Sequence, residues 1–221
     1  MIRTVDLTKT YRLGTSLITA VNKVNLSIEE ATFTCIVGPS GSGKTTLLNL
    51  IGLIDEPTSG QVFFDDVDTR QVTGNKCRKM RLHKIGFVYQ TFNLIPTLTA
   101  LENVELPMAL ARVSQKEQRE KATQLLDAVD LGHRLEHRPK ELSMGEMQRV
   151  AIARALANDP EIILSDEPTG ELDSETGKQI LTLLSEICRE KKRVLILVTH
   201  DEKVAKASDA TYRMRDGSIV A

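Results

Sequence analysis

The chain has 221 residues, with 29 Lys and Arg against 30 Asp and Glu for a net charge of −1. That length suits one domain with an inserted lobe, and the charge balance leaves no basic footprint for an anionic lipid surface or for nucleic acid, which is not an expected partner. The longest apolar runs, 47–54 and 194–198, fall far short of the roughly 20 residues a membrane helix needs, and residues 1–5 lack a secretory h-region, so the expected location is cytoplasmic.

In chain order, strand-like and helix-like segments alternate, which predicts an α/β fold. Residues 32–37 (TFTCIV) form a β-rich run, with Cys35 read as a small buried hydrophobe. A glycine-rich turn and an apolar helix through Leu53 follow, and the Glu56-Pro57-Thr58-Ser59-Gly60 stretch breaks that helix. Ile85 to Tyr89 reads as another strand. Residues 101–129 read as helical, and Ser114 followed by Glu117 has the spacing of a capping box. Residues 162–165 and 194–199 are short continuous apolar runs, as expected of parallel strands covered on both faces. Between them, Ile180, Leu183, Leu184 and Ile187 recur at helical spacing and predict one buried helix face. Cys35, Cys77 and Cys188 are widely spaced without a CxxC pair, which predicts neither a disulfide framework nor a zinc site.

Gly38-Pro39-Ser40-Gly41-Ser42-Gly43-Lys44-Thr45 fits G-x-x-x-x-G-K-[ST] at every fixed position, between a predicted strand and a predicted helix. Glycines let successive backbone N–H groups turn inward onto phosphate oxygens, and the helix N-terminus adds partial positive charge. Lys44 is expected to reach the β- and γ-phosphates, and the Thr45 hydroxyl to ligate Mg²⁺; Thr46 is grouped with them as nucleotide-binding. A second element supports the first. The apolar run 161–165 ends in Asp166 and Glu167, where one acid holds a magnesium water shell and its neighbour orients an attacking water. Together they predict hydrolysis of a nucleoside triphosphate.

Residues 142–156, LSMGEMQRVAIARAL, resemble the signature of ABC ATPases, LSGGQ followed by a QRVAIARAL-like helix. Other elements of that family occur in order. Tyr11 matches the aromatic residue that stacks on adenine, Gln90 the Q-loop glutamine, Leu172-Asp173 the D-loop and His200 the switch histidine. The resemblance implies a P-loop NTPase (RecA-like) core with an antiparallel β subdomain and an inserted α-helical signature subdomain. The core lobe is expected over about 1–90 and 158–221, and the helical lobe over about 91–157. It further implies ATP and Mg²⁺ as cofactors, with Thr45, Gln90 and Asp166 toward the metal, Glu167 as base, and His200 and Lys44 at the γ-phosphate. Ser143, Gly145 and Glu146 would serve the nucleotide held by a second copy, in a head-to-tail dimer with two composite sites. Ser143 is also expected to cap its own helix.

Two positions depart from the consensus: Met144 replaces a glycine, and Glu146 a glutamine. Segments 47–55 and 86–104 resemble the ATPases of lipoprotein-release, macrolide-efflux and antimicrobial-peptide export systems, which implies export of a lipoprotein, peptide or drug-like substrate. That likeness implies a separate membrane permease and a place on the inner face of the cell membrane. The alternatives are a mechanotransmission ATPase that moves a membrane helper and transports nothing, or a soluble non-transport ATPase. The sequence ends soon after its last strand signal, so no C-terminal regulatory domain is expected. Phe92, Leu94, Ile95 and Leu98, on a predicted loop, are expected to form the surface that meets the permease, the alternative being that they seal the joint between the ATPase core and the helical lobe.

Overall fold

The computed structural model describes residues 1–72 and 74–220. In chain order the described elements begin with β1 (Ile2–Leu13), β2 (Ser16–Ile28), β3 (Phe33–Val37), α1 (Lys44–Ile51), β4 (Ser59–Phe64), β5 (Val67–Asp68), α2 (Asn75–Lys84) and β6 (Ile85–Val88). There follow α3 (Ala100–Leu110), α4 (Gln115–Ala128), α5 (Met144–Leu156), β7 (Ile162–Asp166), α6 (Ser174–Glu190), β8 (Val194–Thr199), α7 (Glu202–Ala205), β9 (Ala210–Arg215) and β10 (Ser218–Val220). Three short 3-10 turns punctuate them. Contacts divide the chain into two compact units, 1–81 with 194–221, and 82–193. No described helix is long and apolar enough to cross a membrane.

In the first unit β2, β1, β4 and β5 form an antiparallel sheet in that order. The long β1–β2 hairpin is irregular: its register slips between Thr4 and Leu7, Leu7 and Lys9, and Lys9 and Thr10. Asp6 and Lys23 take left-handed backbone, at φ 45 and 46°. Such bulges twist a hairpin and re-aim its side chains. Beside this sheet in sequence, β3 pairs in parallel with β8 and with β9, and β10 closes antiparallel on β9. Every residue of β3 and of β8 is buried, as parallel strands require. Cys35 is fully buried in β3, and burial pushes its thiol up to about 12, so it packs as a hydrophobe.

In the second unit α5 packs on α3, α4, α6 and β6, and β6 pairs in parallel with β7. These three helices α3 to α5 lie in the segment expected as a helical lobe. The single helical reading of 101–129 resolves into two helices, parted where Arg112 turns left-handed at φ 63°. Ser114 and Glu117 form the expected capping box at the start of α4. On α6 the fully buried face is Gly177, Ile180, Leu184 and Cys188. Leu183 and Ile187, expected on that face, are half-buried at its edge.

Candidate functional site

The phosphate loop in the first unit is shaped by strands on two sides. A Cβ added to Gly38 would lie 2.1 Å from the Met214 carbonyl of β9, and one on Gly43 only 2.0 Å from the Ala20 carbonyl of β2. Gly43 also has φ 100°, which side-chain-bearing residues avoid. The Gly217 amide bonds the Ser42 carbonyl at 3.0 Å and the Gly38 amide bonds the Thr199 carbonyl at 3.2 Å. The loop is thus anchored at both ends by backbone bonds.

Within it, α1 begins at Lys44 with no side-chain cap and no acid in its first turn. Its leading amides therefore face outward with their partial positive charge, the arrangement that receives an anion. Lys44 is 5% exposed, and its Nζ donates to the carbonyls of Gly38 at 2.8 Å and Pro39 at 3.0 Å. Those bonds hold the cation inside its own loop, at the place where phosphate charge would meet it. Ser42 Oγ is buried and has no hydrogen-bond partner among the described residues. Ser40, Gly41 and Thr45 are exposed, and Gly38 and Thr46 are half-buried. These residues fit a polyphosphate.

His200 is exposed and directly follows Thr199, whose carbonyl holds the first glycine of the loop. The register of β3 on β8, Val37 against Thr199, therefore brings His200 beside the start of the phosphate loop. Tyr11 near the hairpin end is 40% exposed, and its hydroxyl donates to Asp55 Oδ2 at 2.7 Å.

The second unit carries the remaining candidates. Asp166 ends β7, and Glu167 next to it adopts φ 41°. Left-handed backbone on a residue with a side chain costs about 1–2 kcal/mol, a strain that turns the carboxylate away from the strand direction. The Glu167 carbonyl then accepts from the Gly170 amide at 3.0 Å, closing the turn. Gln90 donates through Nε2 to Glu171 at 3.2 Å and lies so close to Gly170 that a Cβ there would meet it at 2.9 Å.

At the signature, Ser143 caps α5 as expected. Its hydroxyl accepts from the Glu146 amide at 3.2 Å, and Glu146 Oε2 accepts from the Ser143 amide at 2.8 Å. The other oxygen of Glu146 accepts from Arg134 Nε at 3.0 Å. The Ser143 amide, foremost, and the Arg134 charge hold this carboxyl below its usual range. Glutamate therefore fills the glutamine position as a charged cap. Gly145 faces Thr176, whose methyl a Cβ would meet at 2.7 Å, while Met144 is 51% exposed.

Two residues that shape the loop after Gln90 went unread in the sequence. Arg154 donates to the carbonyls of Phe92, at 2.7 Å, and Asn93, both left-handed at φ 60 and 48°. Fully buried Asn103 bonds the amide of Ile95 and the carbonyls of Ile95, Leu98 and Thr99. Phe92 is only 9% exposed, so it seals the loop from within and is not part of an outward docking surface. Leu94 and Leu98 are half-buried, and Ile95 is the outward residue of the four.

A sequence profile described as ABC transporter matches residues 21–170. The chain belongs to the ABC transporter family. An uncharacterised ABC transporter ATP-binding protein of Methanocaldococcus jannaschii, MJ0796, is 48% identical over 223 residues, 99% of this chain and 95% of its own length. A macrolide export ATP-binding/permease protein, MacB, of Syntrophobacter fumaroxidans is 43% identical over 221 residues, which span 99% of this chain and 31% of that protein. A dimeric structure of the MJ0796 cassette in a post-hydrolysis state bound to ADP and Pi superposes with a TM-score of 0.93 at 46% identity, covering 100% of this chain and 97% of that one. The fold is that of the P-loop ABC cassettes, and the chain is an ATP-binding ATPase of this family, related to the macrolide-efflux branch.

Proposed function

We propose that this cassette hydrolyses MgATP to drive a separate membrane permease in export, working as a head-to-tail dimer. The observation that carries the reading is the uncapped, acid-free start of α1 inside a loop clamped by β2, β9 and the end of β8. Lys44 and the loop amides bind the β- and γ-phosphates, and Tyr11 offers its ring to the adenine. Among the described residues no three of His, Cys, Asp and Glu gather to hold a metal. The Thr45 hydroxyl, Gln90 and, through water, Asp166 would hold Mg²⁺ brought in on the substrate phosphates. When bound, the ion neutralises charge on the phosphates.

In hydrolysis, Glu167 takes the proton of the attacking water and His200 donates to the γ-phosphate. Ser143 and Gly145 of a second copy cover that phosphate with the charged end of α5, excluding water and completing the clamp. The post-hydrolysis dimer of the M. jannaschii cassette supports this arrangement. Kinship to MacB, an ATP-binding/permease export protein, supports a permease partner, and with such a partner the cassette would sit peripherally on the inner membrane face. Co-reconstitution with the permease should raise ATP turnover several-fold and yield ATP-dependent extrusion. Turnover indifferent to the permease would sink the coupling, and stimulated turnover without extrusion would favour mechanotransmission.

A further inference from the structure

The Tyr11 ring does not stand alone on its hairpin. Its hydroxyl donates to Asp55 Oδ2 at 2.7 Å. Asp55 Oδ1 accepts from Lys9 Nζ at 2.6 Å and from the Glu56 amide at 2.7 Å. Lys9 Nζ donates further to the Glu56 carbonyl at 2.7 Å and sits 5.0 Å from the centroid of the Tyr11 ring. The amides of Ile54 and Asp55 bond the Asn49 carbonyl at 2.9 and 3.3 Å, fixing Asp55 to the last turn of α1. Every link lies in the first unit.

We propose that Asp55, with Lys9, is a positioning group that sets the height of the Tyr11 ring above the phosphate loop. The reasoning rests on the reading of Tyr11 as the adenine platform. One helix, α1, then dictates both ends of the nucleotide. Its N-terminus receives the phosphates, while the turn after its C-terminus holds the platform by the tyrosine hydroxyl. Charge-assisted bonds to a half-buried carboxylate are the strong kind, and a side chain held at both hydroxyl and ring has few orientations left. Lys9 occupies one face of the ring, in the geometry of a cation–π contact, so a base stacks on the other face alone. Phenylalanine could supply the same π surface but none of the registration. The hydroxyl, not only the ring, is what this position uses.

The test compares two ligands that differ in the base. Affinities for MgATP and for magnesium tripolyphosphate, which has no base, are measured by calorimetry for the wild type and for Tyr11→Ala, Tyr11→Phe, Asp55→Asn and Asp55→Leu. Tyr11→Phe and Asp55→Leu should weaken ATP by about 3- to 10-fold, what one lost hydrogen bond is worth, and leave tripolyphosphate within about twofold. Asp55→Asn keeps an acceptor for the tyrosine hydroxyl and should fall between Asp55→Leu and the wild type. Two results would overturn the proposal: ATP affinity lost in Tyr11→Ala but untouched in Tyr11→Phe and Asp55→Leu, or both ligands weakened equally, which would make these bonds mere scaffolding of the loop. If Tyr11→Ala itself leaves ATP binding unchanged, the platform reading fails and the proposal with it.

Discussion

Gly41 and Gly43 lie two residues apart in the phosphate loop, both with left-handed backbone, at φ 79 and 100°. An alanine at either position carries the same backbone penalty, about 1–2 kcal/mol. Their surroundings differ. A Cβ on Gly41 meets nothing within 4 Å, whereas on Gly43 it falls 2.0 Å from the Ala20 carbonyl and 2.9 Å from the Met214 methyl. The methionine can swing aside, but the carbonyl belongs to the backbone of β2 and sits about 1.4 Å inside the 3.4 Å of ordinary contact. Relieving that overlap means separating β2 from the loop, and overpacking of this kind adds about 1–3 kcal/mol or more. At roughly 2–4 °C per kcal/mol for a chain of this size, Gly41→Ala should lower the melting temperature by a few degrees and Gly43→Ala by about 10 °C or more. Thermal melts with and without ATP provide the assay. Gly41→Ala should keep a nucleotide-induced upward shift, and Gly43→Ala should lose it. Equal melting temperatures for the two variants would refute the idea that β2 clamps the loop.

Further outcomes follow from the second unit. Arg154→Met removes two bonds from a guanidinium to left-handed carbonyls and should cost about 1.5–3 kcal/mol in urea unfolding; a change below about 0.5 kcal/mol would show that the loop after Gln90 holds its shape without it. Phe92→Ala should destabilise by about 3–5 kcal/mol, as loss of a buried aromatic does, whereas Ile95→Ala should leave the melt nearly unchanged and weaken co-purification with the permease. The reverse pattern would restore Phe92 to the docking surface. Met144→Gly, at the exposed start of α5, should increase the fraction of ATP-bound dimer in sedimentation while costing about 1 kcal/mol of helix stability; an unchanged dimer fraction would mean that the methionine is accommodated.

What could be read in advance was local. The phosphate loop, the Ser114 and Ser143 caps and the four strand runs at 32–37, 85–89, 162–165 and 194–199 all depend on neighbours within a few residues. The hairpin of β1 and β2 was invisible because its alternation is broken by register slips near Leu7 and Lys9 and by left-handed residues at Asp6 and Lys23. Helix α2 buries none of its residues, so it has no apolar periodicity to detect. Arg154 and Asn103 act on backbone, and in the arginine's case on carbonyls some sixty residues away. Neither spacing nor residue type announces such a role. Phe92 was ambiguous for a related reason: an apolar side chain on a loop fits a docking surface or an internal seal equally until the carbonyl bonds that turn the loop inward are seen. Asp55 stands in a turn rich in breakers, and its partners Lys9 and Tyr11 come from β1, more than forty residues earlier in the chain.

In the proposed cycle two copies of this chain close head to tail on ATP, and Glu167 then drives its hydrolysis. Glu167→Gln separates closure from chemistry, because the amide keeps the shape of the side chain but cannot take a proton. Sedimentation velocity of that variant should show a dimer with MgATP and a monomer with MgADP, and its steady-state turnover should fall by about 10²- to 10⁴-fold. A monomer under both nucleotides, or turnover close to that of the unaltered protein, would contradict the account.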